Sequence, residues 1–108
     1  MAFIYALSID IAPDKVGELK LGNSLERVLG YLRTLLPSQT GYITTRAMYA
    51  LEPDEKGEID LLFECVWDRW EDLEAHMEST LLEDKVLREF APDINFDDLR
   101  IRIYEEVA

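Results

Sequence analysis

The chain has 108 residues, of which 48% are aliphatic, aromatic or cysteine, with 5 glycines and 4 prolines. That composition fits one compact domain with a single core and argues against a disordered or fibrous chain. Asp and Glu outnumber Lys and Arg by 23 to 11, a formal charge of -12, which repels phosphate backbones and anionic headgroups and argues against nucleic acid or a membrane surface as partner. The single cysteine, Cys65, cannot form an internal disulfide. The N-terminal apolar run lacks a basic segment and meets Asp10 too early for a signal peptide or a span, so a cytoplasmic protein is expected.

Phe3 to Ile11 alternates, with Phe3, Tyr5, Leu7, Ile9 and Ile11 on one side, and predicts a strand that Pro13 ends. The polar stretch from Asp14 to Lys20 reads as a connection with an early helical turn. From Ser24 the apolar residues Leu25, Val28, Leu29, Leu32, Leu35 and Leu36 recur at steps of three and four, the stripe of a helix with Ser24 as N-cap and Pro37 as stop. Asn23, just before it, is read as a turn or capping residue.

Tyr42 to Leu51 predicts a second strand, with Tyr42, Thr44, Arg46 and Met48 on one side and Ile43, Thr45, Ala47 and Tyr49 on the other. The turn formers of EPDEKGE return the chain as a hairpin into a third strand, Ile59 to Trp67. Its greasier face, Ile59, Leu61, Phe63, Cys65 and Trp67, is assigned to the helical side, leaving Asp60, Leu62, Glu64 and Val66 opposite.

Asp68 followed by Glu71 has capping-box spacing, which predicts a helix starting directly after Trp67, with Trp70, Leu73, Met77 and Leu81 as its buried stripe and His76 beside it. A break is expected around Ser79 and Thr80, then a second helical segment through Leu82, Val86, Leu87 and Phe90, closed by Pro92. A last strand spans about Asp98 to Val107, with Leu99, Ile101 and Ile103 alternating against Arg100, Arg102 and Tyr104.

Strand, helix, strand, strand, helices, strand is the order of an α+β, ferredoxin-like domain, a four-stranded antiparallel sheet with helices on one face. The uncovered face, assigned Ile4, Ala6, Tyr42, Met48, Leu62, Val66 and Tyr104, is too apolar to leave in water. A second copy packed sheet to sheet would cover it, enclosing Ser8, Arg46, Glu64, Arg100 and Arg102 in a homodimer.

Trp67-Asp68, then His76 nine residues after the tryptophan, then Ser79, all following a turn-linked hairpin, resembles the antibiotic biosynthesis monooxygenase family of dimeric α/β barrels. The resemblance runs from Phe3 to Tyr104. It implies a dimer with a pocket in each protomer, between sheet and helices or opening toward the barrel interior, and for several members oxidation of phenolic or quinone-like polycyclic substrates by oxygen with no bound metal or flavin, which for this chain suggests a small aromatic or polyketide-like compound. Other members are not such enzymes, so the activity does not transfer with the fold. Related barrels that degrade haem use a histidine further along, where this chain reads DKVLREF, which disfavours histidine-ligated haem.

Within that resemblance His76 is the candidate general base or hydrogen-bonding group, against the alternative of a histidine packed at the edge of a helix stripe. Trp67 is either an aromatic wall for a flat ligand or a core anchor that packs the following helix. Arg46 and Glu64, on neighbouring strands, form an ion pair or hold an enolate or carboxylate, and Tyr42 offers a hydroxyl or is an ordinary sheet residue. One histidine and one cysteine do not make a zinc site, and no phosphate loop or nucleophile elbow is present. Three readings result: a cofactor-independent monooxygenase-like enzyme, a non-catalytic barrel that binds a small molecule or has an accessory role, and an isomerase or cyclase on the same scaffold.

Overall fold

The computed structural model describes residues 1–11, 21–81, 84, 88 and 99–107. Four strands, β1 (Phe3–Ile11), β2 (Tyr42–Tyr49), β3 (Ile59–Trp67) and β4 (Arg100–Glu105), form one sheet in the order β2-β3-β1-β4. All three pairings are antiparallel, the ferredoxin-like arrangement that the element order predicts. Helix α1 (Leu21–Leu35) passes into a 3-10 turn (Leu36–Ser38) carrying Pro37, and helix α2 (Trp70–Ser79) follows β3 after two residues.

Alternation decides the faces. Tyr5, Leu7, Ile9 and Ile11 of β1 register with Cys65, Phe63, Leu61 and Ile59 of β3, and all of these but the half-buried Ile59 make one core with Val28, Leu32, Leu36, Trp67 and Leu73. This is the odd-numbered face of β3, packed under the helices as expected. The opposite face carries Ile4, Ala6, Leu62, Val66, Met48 and Tyr104, together with Arg46, Glu64, Arg100 and Arg102.

Tyr42 is not on that opposite face. The β2–β3 register pairs Tyr42 with Trp67 but Thr44 with Val66, an irregularity at Ile43 that inserts one extra residue. A one-residue bulge turns the preceding side chain to the other side of the sheet. Tyr42 therefore lies on the helical side, against Trp67.

Two helix starts also differ from expectation. Helix α1 already includes Gly22, Asn23 and Ser24, so Ser24 is not its N-cap. Helix α2 begins at Trp70 with Arg69 as N-cap and no side-chain cap bond. Asp68 is exposed, and its backbone N–H donates to the Gly41 carbonyl at 2.8 Å. Pairing of β3 runs through Trp67 to its last residue, so the chain passes through Asp68 and the extended Arg69 before it coils. The expected break is found: α2 ends at Ser79 and Thr80 is left-handed, at φ 51°. The connection at 12–20, most of the second helical segment and its closure at Pro92 lie outside the described residues.

Candidate functional site

Four rings from four elements meet at one end of the helical side. His76 of α2 stacks on Trp67 of β3 with ring centroids 4.7 Å apart and planes at 29°. Tyr5 of β1 meets the imidazole edge-on at 5.1 Å, and Tyr42 of β2 meets the indole edge-on at 5.8 Å. Tyr42 reaches this cluster only because of the bulge at Ile43. Its hydroxyl shares a 2.8 Å hydrogen bond with Thr45 Oγ1, itself buried beside Cys65.

Sequence periodicity places His76 beside the buried stripe of α2; the structure places it within the stripe. The buried residues of this helix are Asp72, Leu73 and His76, spaced by three and four, while Trp70 is 41% exposed. The helix is thus rotated relative to a stripe centred on Trp70, Leu73 and Met77. Trp67 and His76 both have 0% exposure, so Trp67 is at once core anchor and wall of the ring cluster.

Sealing this pair carries a cost. Among the described residues Trp67 Nε1, His76 Nδ1 and His76 Nε2 are buried without a hydrogen-bond partner, and each such atom forfeits roughly 1–3 kcal/mol of lost hydration. Burial also holds the His76 imidazole down to about 4, well below its ordinary 6.5, so it is neutral near pH 7. A neutral imidazole has one donor and one acceptor, and the indole adds a donor. Between them the two rings therefore hold two donors and one acceptor that have no partner among the described residues.

Cys65 is inert beside it, its thiol pushed up to about 12 by burial. Asp72, buried at the first turn of α2, takes both the Nε and a terminal nitrogen of Arg69 at 3.2 Å. Its side chain also fills the space over Gly41, where any Cβ would overlap the Asp72 carboxyl. Asp72 and Thr45 were not among the sequence candidates. Their signal, a polar residue at a buried helical or strand position, appears only once the helix rotation and the bulge are known.

Arg46 and Glu64 form the expected ion pair, but on the opposite face of the sheet from His76 and Trp67. The candidates thus divide into two groups: Trp67, His76 and Tyr42 under the helices, Arg46 and Glu64 on the open face. On that same face Arg100 binds both oxygens of Asp10, at 2.9 and 3.1 Å, and Asp60 at 3.2 Å. Asp10 is held below the carboxylate range by its hydrogen bonds from Arg100. Asp60 is raised, because burial outweighs its share of the same arginine. At this end of β1, far from Trp67, the carboxylates of Asp10, Asp54 and Glu58 come within 4.8 Å of one another. Arg100 already neutralises Asp10, and Asp54 Oδ1 accepts from the Lys56 and Glu58 amides.

Solved structures share this architecture. A provisionally assigned antibiotic biosynthesis monooxygenase from Caulobacter crescentus superposes with a TM-score of 0.62 at 12% identity, covering 99% of this chain and 91% of its own. One from Nitrosomonas europaea gives 0.60 at 11% identity, covering 98% and 90%. A dimeric protein of unknown function and ferredoxin-like fold from Bacteroides fragilis gives 0.67 at 13%, covering 97% and 96%. The expected likeness to that monooxygenase family is met at the level of the fold. No protein-family model matches the chain, and no curated protein matches it in sequence. Among the described residues, no helix is long and apolar enough to cross a membrane.

Proposed function

We propose that the chain is a homodimeric barrel that binds a small, flat aromatic molecule against Trp67 and His76. The observation that carries this reading is the stacked, fully buried pair with three unpartnered nitrogens. Buried polar atoms in native proteins are nearly always paired, and a functional role is one of the few physical reasons for an exception. A phenolic or quinone-like ligand supplies both a π-face for the indole and an oxygen for the indole and imidazole nitrogens, with Tyr5 and Tyr42 as flanking walls. The lone buried thiol fits a cytoplasmic setting.

Basicity decides between binding and catalysis in the sealed state. Burial makes the sealed imidazole, held down to about 4, a much weaker base than a phenolate, whose acid lies near 10. His76 is therefore a hydrogen-bonding group there, not a general base. Oxygenation without a cofactor is the second reading, favoured by the descriptions attached to structures of like fold. Calorimetry with a panel of one- to three-ring phenols, quinols and quinones tests the first reading. Micromolar binding lost at least tenfold in His76→Leu and Trp67→Phe is expected, and equal affinity in all three proteins rejects the site. Oxygen uptake with the same panel, parent against His76→Ala, tests the second.

The homodimer rests on the open sheet face. It carries Arg46, Arg100 and Arg102 against Asp10, Asp60 and Glu64, so those charges cancel in a chain whose net charge is -12. A neutral face bearing Met48 and Tyr104, each about two-fifths exposed, is where two such acidic molecules meet with least repulsion. Sedimentation at tens of micromolar is expected to give twice the 12.5 kDa of one chain. In Arg102→Glu, which puts two extra negative charges on each face, the dimer dissociates at low salt. A monomeric parent contradicts the proposal.

A further inference from the structure

We infer that α2 is a gate: it swings about its N-terminal end, lifting His76 off Trp67, and so admits the ligand to a site that is closed at rest. The inference rests on the Trp67–His76 site proposed above, and it begins from a geometric conflict. Both rings have 0% exposure, so nothing reaches their nitrogens unless a wall moves.

The walls are unequal. Trp67, Tyr5 and Tyr42 sit on paired strands within the sheet, whereas His76 rides on a helix of 10 residues. Sheet strands share ladder hydrogen bonds with their neighbours; a short helix is held only by its side chains. For α2 those are the buried Leu73, Asp72 and His76, with Met77 partly buried against the same core and Trp70 against Phe3. The movable wall is the helix, and it carries His76 with it.

Its two ends differ as well. At the N-terminal end the Asp68 amide is bonded to Gly41, the Asp72 carboxyl lies over Gly41, and Trp70 meets Phe3 edge-on at 5.8 Å. At the C-terminal end Ser79 Oγ donates back to the His76 carbonyl at 2.6 Å, a bond within the helix, and among the described residues the hold on the core is the partly buried Met77 and, beyond Thr80, Leu81. Thr80 takes φ 51°, a left-handed conformation that is strained for a β-branched residue and marks a break in the backbone. The helix is pinned through Asp68, Trp70 and Asp72 at its first turn, holds by the smaller contacts of Met77 at its other end, and is jointed at Thr80.

Closure also has a built-in penalty. The three unpartnered nitrogens are dry when α2 is down and hydrated when it lifts, so they favour opening. A ligand that bonds them favours closure over itself. Lifting also returns His76 to water and to its ordinary basicity, which is when proton transfer from a phenol becomes least costly.

Amide hydrogen exchange on the intact protein tests the gate. Amides of residues 73–79 are expected to exchange at least 100-fold faster than those of β1 and β3, through an opening that leaves the sheet protected. In His76→Leu, which removes two of the unpartnered nitrogens, protection of α2 should rise about tenfold relative to the sheet. Exchange of α2 at the rate of the strands, in the parent, overturns the gate whatever the variant does. Binding is read separately with 2-naphthol by calorimetry. Binding with α2 exchanging like the strands rejects the gate and keeps the site; independent opening of α2 without binding of 2-naphthol or the wider panel rejects the site and keeps the hinge.

Discussion

Lowering the pH from about 7.5 to 4 is expected to remove about 3 kcal/mol of folding stability through His76 alone. In the folded protein burial holds this imidazole down to about 4, against 6.5 in the unfolded chain. Between those values the unfolded state binds a proton that the folded state does not, so stability is complete above 6.5 and declines as the pH falls toward 4. The direction is that of a buried neutral histidine, opposite to that of a histidine paired with a carboxylate. Asp72 lies one helical turn before it, but its oxygens are bonded to Arg69.

Other groups titrate in acid, Asp10 among them, so the measurement is a comparison. Urea midpoints of the parent and of His76→Leu should run parallel above pH 7 and diverge below 6.5, the parent losing more. Leucine matches the ring roughly in size and removes two of the three unpartnered nitrogens, so at pH 7.5 the variant is expected to be at least as stable as the parent. Parallel acid profiles would show that His76 titrates normally and is hydrated in the native state.

The second large effect is expected at Gly41. Its φ of 81° lies in the region that favours glycine, and a Cβ there would overlap the Asp72 carboxyl. Gly41→Ala therefore combines backbone strain with displacement of a buried, arginine-paired carboxylate, and should cost about 2–4 kcal/mol. Gly57 is the internal control. It has nearly the same φ, 80°, but nothing lies within 4 Å of a Cβ placed on it. Gly57→Ala should cost only the backbone share, about 1 kcal/mol. Equal losses at the two positions would mean that Asp72 yields freely and that α2 is not pinned at Gly41. A larger loss at Gly41, with faster amide exchange in α2, joins this position to the hinge.

The sheet was legible where one face is fully buried. β1 and β3 run over the same residues that alternation marks, because a slip of one residue would carry Leu7, Ile9, Leu61 and Phe63 into solvent. β2 is an edge strand whose two phases, Tyr42-Thr44-Arg46-Met48 and Ile43-Thr45-Ala47-Tyr49, are about equally polar. Nothing local in it signals the bulge that carries Tyr42 across. The Asp68 and Glu71 spacing suggested a cap, but the amide of Asp68 is taken by Gly41, a residue 27 positions away. Ser24 likewise lies inside α1, since Gly-Asn-Ser favours a turn without forbidding a helix.

For the site, sequence could bring Trp67 and His76 to neighbouring elements but could not give the rotation of α2. That rotation follows from packing Leu73 and Asp72 inward together, and it turns His76 from a rim position into a sealed one. The same information separates Arg46 and Glu64 from the ring cluster: their even-numbered register with Ala6 and Arg102 puts them on the open face.

The central claim is that the nitrogens of Trp67 and His76 are the ligand's partners. The most direct measurement follows the Trp67 indole N–H by NMR in uniformly ¹⁵N-labelled protein, with Trp70→Phe to leave a single indole signal, during titration with 2-naphthol and then the wider phenol and quinone panel. In the free protein the indole proton is expected to be without a hydrogen bond, and a binding member of the panel is expected to move it downfield with saturation while the His76 ring nitrogens shift together with it. An indole signal that stays fixed while a ligand binds elsewhere, or one already hydrogen-bonded in the free protein, would contradict it.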